Sequence, residues 1–208
     1  MSPPQPLGLH TARDNNILTK YSRFLSPEGR CYSFDERAQG YGRGEGVGCM
    51  LLKPLDKAIQ DGDPIRAIIR GTGSNQDGKT PGITFPNRTA QESLVRSVYA
   101  KAGLNPAETE FVETHGTGTQ AGDPIEAAAI ASVFGRRSAE KPLCIGSIKS
   151  NIGHLEGASG IAGLVKAVLM LEHRVILPNA NFRNPNPRIQ FSEWNMKVCR
   201  YFAAPLTT

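Results

Sequence analysis

Two stretches of this chain repeat one order of events, strand, then glycine-rich loop, then helix, and that order leaves few folds open. In the first, the strand Glu110 to His115 runs into Gly116-Thr117-Gly118-Thr119. Asp123-Pro124-Ile125-Glu126 then supplies an N-cap, a proline at the first helical position and an acid at the third. In the second, Leu143 to Ile148 reads as a strand, followed by a glycine-rich turn and a helix from about Leu155 to Glu172. Strand-to-helix junctions lie at the carboxyl edge of an α/β sheet, where ligands bind. His115 and His154 each occupy such a junction, so the two edges can aim two imidazoles at one cavity.

The rest of the chain agrees with an α/β class. Gly46 to Lys53 is a short apolar run that reads as a buried strand. Ile65 to Thr72 reads as another, after a short helical stretch and the turn Asp61-Gly62-Asp63-Pro64. Thr89 to Ala102 places Leu94, Val95 and Val98 on one helical face, with Gly103 as its stop. Residues 1 to 15 are proline-rich and aperiodic, which predicts a loose arm.

With 208 residues, 39% of them hydrophobic and 21% charged, the chain can bury one sizeable core. The net charge of +5 is scattered without a block of like charge. That argues against nucleic acid as a partner but suits an acidic protein surface. The longest apolar stretch, Ile161 to Leu171, is interrupted by Lys166 and is too short to cross a bilayer, so no membrane partner is expected. Cys31, Cys49, Cys144 and Cys199 form neither a zinc nor a disulfide pattern, and no apolar leader opens the chain. Reduced thiols and a cytoplasmic location follow as expectations.

Three motifs compete for function. Residues 73–80, Gly-Ser-Asn-Gln-Asp-Gly-Lys-Thr, match a phosphate-binding loop letter for letter. Such a loop must open a helix, whereas Pro81 and Gly82 follow at once, which predicts an irregular loop. Tyr41-Gly-Arg-Gly-Glu-Gly-Val-Gly48 resembles a dinucleotide loop but precedes a strand instead of following one; its alternate glycines fit close backbone approach better. Neither histidine has a second ligand at metal spacing within its own motif, so no metal is expected.

The run Phe24 to Asp35, then Gly40-Tyr-Gly-Arg-Gly-Glu-Gly46, Asn75-Gln-Asp-Gly78, His115-Gly-Thr-Gly-Thr119 and Asn151-Ile-Gly-His154, resembles the β-ketoacyl synthase domain of type I, fungal-type polyketide synthases. The resemblance runs in order from about Ile17 to Lys197, leaving residues 1–16 as an unassigned arm and 198–208 as an unassigned tail. It implies a thiolase-like fold of layered α-β-α-β-α type, of which this chain supplies the end of the first half and most of the second. It also implies decarboxylative Claisen condensation of a malonyl thioester with an acyl thioester. In that reaction His115 and His154 stabilise the enolate, and Lys149 tunes the site or holds a carboxylate such as Glu126. Thr117 and Thr119 bind the phosphopantetheine arm of an acyl carrier protein, turn chemistry being the other reading of their hydroxyls. No tightly bound cofactor is implied, and the complete family domain dimerises.

The chain departs from the family in two places. The nucleophilic cysteine motif is absent: Cys49 and Cys144 fall in predicted strands, Cys31 in a loop and Cys199 near the tail. The family's closing Phe-Gly segment is absent too. These departures predict a partial ketosynthase that loads no acyl chain by itself. A non-catalytic module that docks a carrier protein or synthase subunit is the alternative, and a nucleotide binder at residues 73–80 is a third reading. Gly157, Gly160 and Gly163 predict a smooth helical stripe for close packing beside His154.

Overall fold

A computed structural model describes residues 24–82, 85–135 and 137–200. The arm at residues 1–16 and residues 201–208 of the tail lie outside these. At the centre is β2 (Leu143–Gly146), paired in parallel with β1 (Phe111–Glu113) on one side and β3 (Met196–Val198) on the other. Phe111 stands opposite Cys144, and Leu143 opposite Met196.

Every residue of β2 is buried, as a central parallel strand covered on both faces requires. Leu143 and Ile145 join a cluster with Ala127, Ile130, Val133 and Phe134 of the helix Gly122–Phe134, while Cys144 joins Met170 of the helix Ser159–His173 on the other face. The architecture is therefore helix, sheet, helix. In chain order the helices are α1 (Leu55–Gln60), α2 (Arg88–Ala102), α3 (Gly122–Phe134), α4 (Lys149–Ile152) and α5 (Ser159–His173).

Local sequence explains the ends of α2. Asn87 accepts the N–H of Ala90, and Gly103 closes the helix in the left-handed conformation, as its position predicts. The helix then packs on α3, with Tyr99 edge-on to Phe134 at 5.3 Å between ring centroids.

Four expectations need correction. Gly46 to Lys53 and Ile65 to Thr72 are not strands: among the described residues neither has a ladder partner, and Val47 and Leu51 are each 97% exposed. An apolar run predicts burial, but a strand also needs a neighbour. The helix expected from Leu155 starts at Ser159, after α4 and a 3₁₀ turn at Glu156–Ala158, because Glu156 interrupts the right-handed path at φ +50°. Of the glycine stripe only Gly163 packs closely, its absent β-carbon lying 3.3 Å from Glu113 Cγ, while Gly157 and Gly160 face open space. Finally, β3 carries the ordered chain through Val198 into the segment set aside as tail. By contrast, α1 and the turn at Gly62 form where expected, and residues 73–80 are irregular, with α2 starting only at Arg88.

Residues 31–37 are fastened to residues 181–186 by Asp35, which is fully buried. Its carboxylate accepts the Arg37 guanidinium at 2.7 Å and the N–H groups of Arg183 and Asn184 at 2.6 and 3.0 Å. Burial alone would raise this carboxyl, but those donors hold it below its ordinary value.

A second buried pair sits under the sheet edge. Lys166, which interrupts the apolar stretch of α5, meets Glu113 at the end of β1 at 2.7 Å, with both side chains largely withdrawn from water. Lys166→Met should leave the Glu113 carboxylate without its counter-charge and cost about 3–5 kcal/mol in urea unfolding; a loss below about 1 kcal/mol would contradict this account. The exposed Val47, Leu51, Leu52 and Ile68 should make the chain self-associate in sedimentation velocity, and a single sharp monomer boundary would count against it.

Candidate active site

The first junction loop is held by acids from the helix it enters. Glu126 accepts the backbone N–H groups of His115 and Gly116 at 2.7 and 2.8 Å. Asp123 accepts those of Gly118 and Thr119 at 3.0 and 3.3 Å, and of Phe34 at 2.7 Å. Asp123 is therefore not the N-cap that its position predicts: α3 already begins at Gly122, and Asp123 reaches back across the loop. Burial pushes its carboxyl up to about 7 against these three donors. A β-carbon at Gly118 would lie 2.7 Å from the Tyr32 nitrogen, and one at Gly116 2.7 Å from Ser147 Cβ. Only glycine lets the loop lie this close to both neighbours.

Beyond β2, Ser147 Oγ donates to the His115 carbonyl at 3.2 Å and so ties the second junction to the first. His154 is gripped through its backbone: its N–H donates to the Gly42 carbonyl at 2.7 Å, and its carbonyl accepts the Gly44 N–H at 2.9 Å. A side chain at Gly44 would collide with the Ile152 carbonyl. Gly42 and Gly44 thus serve close backbone approach, whereas Gly46 and Gly48 face the side chains of Leu155 and Ile161.

The two imidazoles meet as expected, with ring centroids 5.4 Å apart and planes at 86°. Tyr41 lies against His154 at 5.1 Å. His154 Nδ1 accepts the Glu156 N–H at 3.0 Å, so the neutral ring carries its proton on Nε2. Surrounding protein, then Lys149 and the other histidine, push His115 down to about 4 although the residue stays exposed, and the ring is neutral at pH 7. Burial also lowers His154, with Lys149 and Arg43 acting in the same sense and Glu156 opposing.

Lys149 is buried, and burial lowers it against the pull of Glu126 and Glu113. It forms no ion pair within 4 Å among the described residues, so it does not grip Glu126, whose oxygens are taken by the backbone. Thr117 is buried, with its hydroxyl 3.4 Å from that of Thr119. Thr119 Oγ1 in turn accepts the Gly122 N–H at 3.1 Å, which is the turn role.

Among the cysteines, Cys31 lies nearest the histidines. It is buried, with its sulfur 3.3 Å from the Gly42 nitrogen, and burial pushes its thiol up to about 11, the reverse of an activated nucleophile. Cys49 is exposed outside any strand, and Cys144 and Cys199 are buried at the sheet. No group of three His, Cys, Asp or Glu could hold a metal among the described residues. No helix there is long and apolar enough to cross a membrane. Sequence reasoning missed the loop-holding role of Asp123 and Glu126 and the packing of Tyr41 and Glu156 on His154; two acids three residues apart in a first helical turn signal capping, and nothing local shows that they cap the preceding loop.

Comparison with known proteins gives the family and the fold. The family model of the β-ketoacyl synthase C-terminal domain matches residues 66–183, and that of the N-terminal domain matches residues 10–58. The chain is 66% identical over 188 residues to the highly reducing polyketide synthase tstA of Talaromyces stipitatus, covering 90% of this chain and 7% of that protein. It is 65% identical over 184 residues to the reducing polyketide synthase PKS1 of Cochliobolus heterostrophus, covering 88% of this chain and 7% of that one. The ketosynthase from module 6 of the bacillaene synthase of Bacillus subtilis 168 superposes with a TM-score of 0.88 at 40% identity, over 97% of this chain and 36% of that one. The chain thus spans a small fraction of its curated relatives and about a third of that ketosynthase, and its helices and parallel sheet are part of the same thiolase-like α/β fold.

The lowered pKa of His115 fixes the sign of a pH effect. Between about 4 and its ordinary 6.5, the folded ring binds fewer protons than the unfolded one, so its contribution to stability falls as pH drops through that window, whereas the raised Asp123 carboxyl acts in the opposite sense. Urea titrations from pH 7 to 4 should therefore diverge between wild type and His115→Gln, the wild type faring worse relative to the variant toward pH 4; parallel curves would refute the assignment.

Proposed function

The chain belongs to the β-ketoacyl synthase family, and from that premise we propose that it supplies the two-histidine, decarboxylating half of a condensing site in polyketide synthesis. The observation that carries the proposal is the facing pair His115 and His154, the latter with its Nε2 proton free to donate.

The substrate is a malonyl thioester carried on the phosphopantetheine of an acyl carrier protein. When the bond to the carboxylate breaks, carbon dioxide leaves and its electron pair moves through the α-carbon onto the thioester oxygen, giving an enolate. Imidazole N–H groups aimed at that oxygen stabilise the charge as it develops. Both rings are neutral at pH 7, so they donate hydrogen bonds without first losing a charge. The enolate carbon then attacks the carbonyl of an acyl thioester; the new carbon–carbon bond forms as the carbon–sulfur bond breaks, and the thiolate that carried the acyl group leaves.

Lys149 adds positive potential at both rings, which favours the enolate and keeps the imidazoles uncharged. Thr119 can donate its hydroxyl proton toward the phosphopantetheine arm while still accepting the Gly122 N–H, whereas Thr117 would have to withdraw the proton it gives to Thr119. Acyl loading is not assigned to any cysteine of this chain, because Cys31, the one nearest the histidines, is a buried, protonated thiol. The complete ketosynthase is dimeric and works in the cytoplasm with carrier-protein domains. The exposed apolar segments around Val47 and Ile68 favour packing of this chain on further synthase structure.

The test is decarboxylation of malonyl-pantetheine thioester, followed as carbon dioxide release. His115→Ala and His154→Ala should each lower the rate by about 10²–10³, and intact mass should show no acyl adduct with acyl thioesters. An adduct lost on replacing a single cysteine would overturn the division of labour, and equal rates in wild type and both variants would overturn the role of the histidines.

A further inference from the structure

The serine that links the two junctions is itself held from behind. Ser147 Oγ sits between the His115 carbonyl, to which it donates at 3.2 Å, and the Lys149 N–H, which it accepts at 3.3 Å. Its backbone N–H donates to the side-chain oxygen of Asn179 at 2.9 Å. An N–H donor requires an oxygen opposite it, which fixes the orientation of the Asn179 amide. Ser150 Oγ lies 3.1 Å from the same oxygen and 2.8 Å from the Ser147 carbonyl, so the first turn of α4 closes on this amide. The Asn179 NH₂ group donates to the Ser33 carbonyl at 3.3 Å, and the Ser33 hydroxyl donates to the carbonyl of Gly116, next to His115. Asn179 is anchored by its own N–H, which donates to the Cys199 carbonyl just past β3 at 2.8 Å. Ser33, Ser147, Ser150 and Asn179 are all more than nine-tenths buried, so bulk water does not readily replace a lost partner.

We propose that Asn179 is a positioning residue for the site: by holding Ser147 it sets the backbones of His115 and Lys149 relative to each other. The contacts stand on their own, and their consequence for rate rests on the function proposed above. A carboxamide suits this place because one planar group offers both an acceptor and a donor, and its partners come from two distant segments. An aliphatic side chain would leave the Ser147 N–H buried without its acceptor, and the junction between β2 and α4 would shift to recover one. Lys149 begins α4, so its side chain would move with that junction. Glu113 accepts the neighbouring Ile148 N–H at 2.6 Å, and that bond keeps the displacement local.

Malonyl decarboxylation by the full chain, together with histidine ring ¹⁵N titration, tests the proposal. Asn179→Ala should lower kcat by about 10²-fold with KM nearly unchanged. Asn179→Asp keeps an oxygen for the Ser147 N–H whether charged or protonated, so its kcat should exceed that of Asn179→Ala by about tenfold or more. In Asn179→Ala the His115 midpoint should rise from about 4, because Lys149, which helps to hold it down, has moved. If Asn179→Ala does not fold, Ser147→Ala takes its place: it cuts the bonds to His115 and Lys149 while Asn179 stays, and the same loss of kcat and rise in midpoint are expected. A folded alanine variant with wild-type kcat, or Asn179→Asp no faster than Asn179→Ala, would overturn the proposal. Where no form of the chain decarboxylates malonyl thioester, the functional reading fails and the midpoint alone decides: a rise sustains the positioning role, and an unchanged midpoint overturns it.

Discussion

Asp123 and Glu126, one helical turn apart at the start of α3, satisfy the backbone of the loop that carries His115, and the rest of the site depends on that. Buried N–H groups without acceptors would cost more than most single contacts return. A glycine-rich loop free of regular structure therefore needs acceptors from elsewhere. Here the acceptors come from the helix that the loop leads into, so one short segment folds back on itself. Because Asp123 also takes the Phe34 N–H, the same carboxylate draws in the segment bearing Cys31 and Tyr41. The backbone position of His115 descends from these contacts.

The fold was legible where chemistry is local and periodic. Asn87 and Gly103 bounded α2, and the junction histidines followed from two strands each leading into a glycine-bearing junction. It was illegible where a feature depends on distant partners. The apolar runs at 46–53 and 65–72 look like strands because side-chain pattern reports burial, whereas a strand is defined by a neighbour. Met196–Val198 failed in the opposite way: three residues are too few to display alternation, yet β2 supplies the ladder. In the site, residue types identified the histidines, but the contact of Tyr41 with His154 joins positions far apart in sequence and leaves no local trace.

Charge in the site is arranged as opposition more than pairing. Lys149 lies buried without an ion-pair partner at contact distance among the described residues, within the influence of Glu113 and Glu126, and each acid is engaged by backbone N–H groups. Glu113 has its own cation in Lys166. The lysine field is thus left to act on the imidazoles, keeping them uncharged, and a site that must receive developing negative charge gains from cationic potential not already neutralised by a close carboxylate.

All three strands of the sheet are parallel, which bears on how the site comes into being. A parallel strand cannot meet its neighbour through a tight turn; it must wait for a helical crossover to fold back. No part of this sheet can therefore assemble early as a hairpin, and its contacts are non-local, a class that forms slowly. The junction loops sit where those crossovers begin. The two imidazoles follow β1 and β2 in the chain, so they can approach one another only once the α3 crossover has brought those strands together, and their proximity gives a spectroscopic marker for that step.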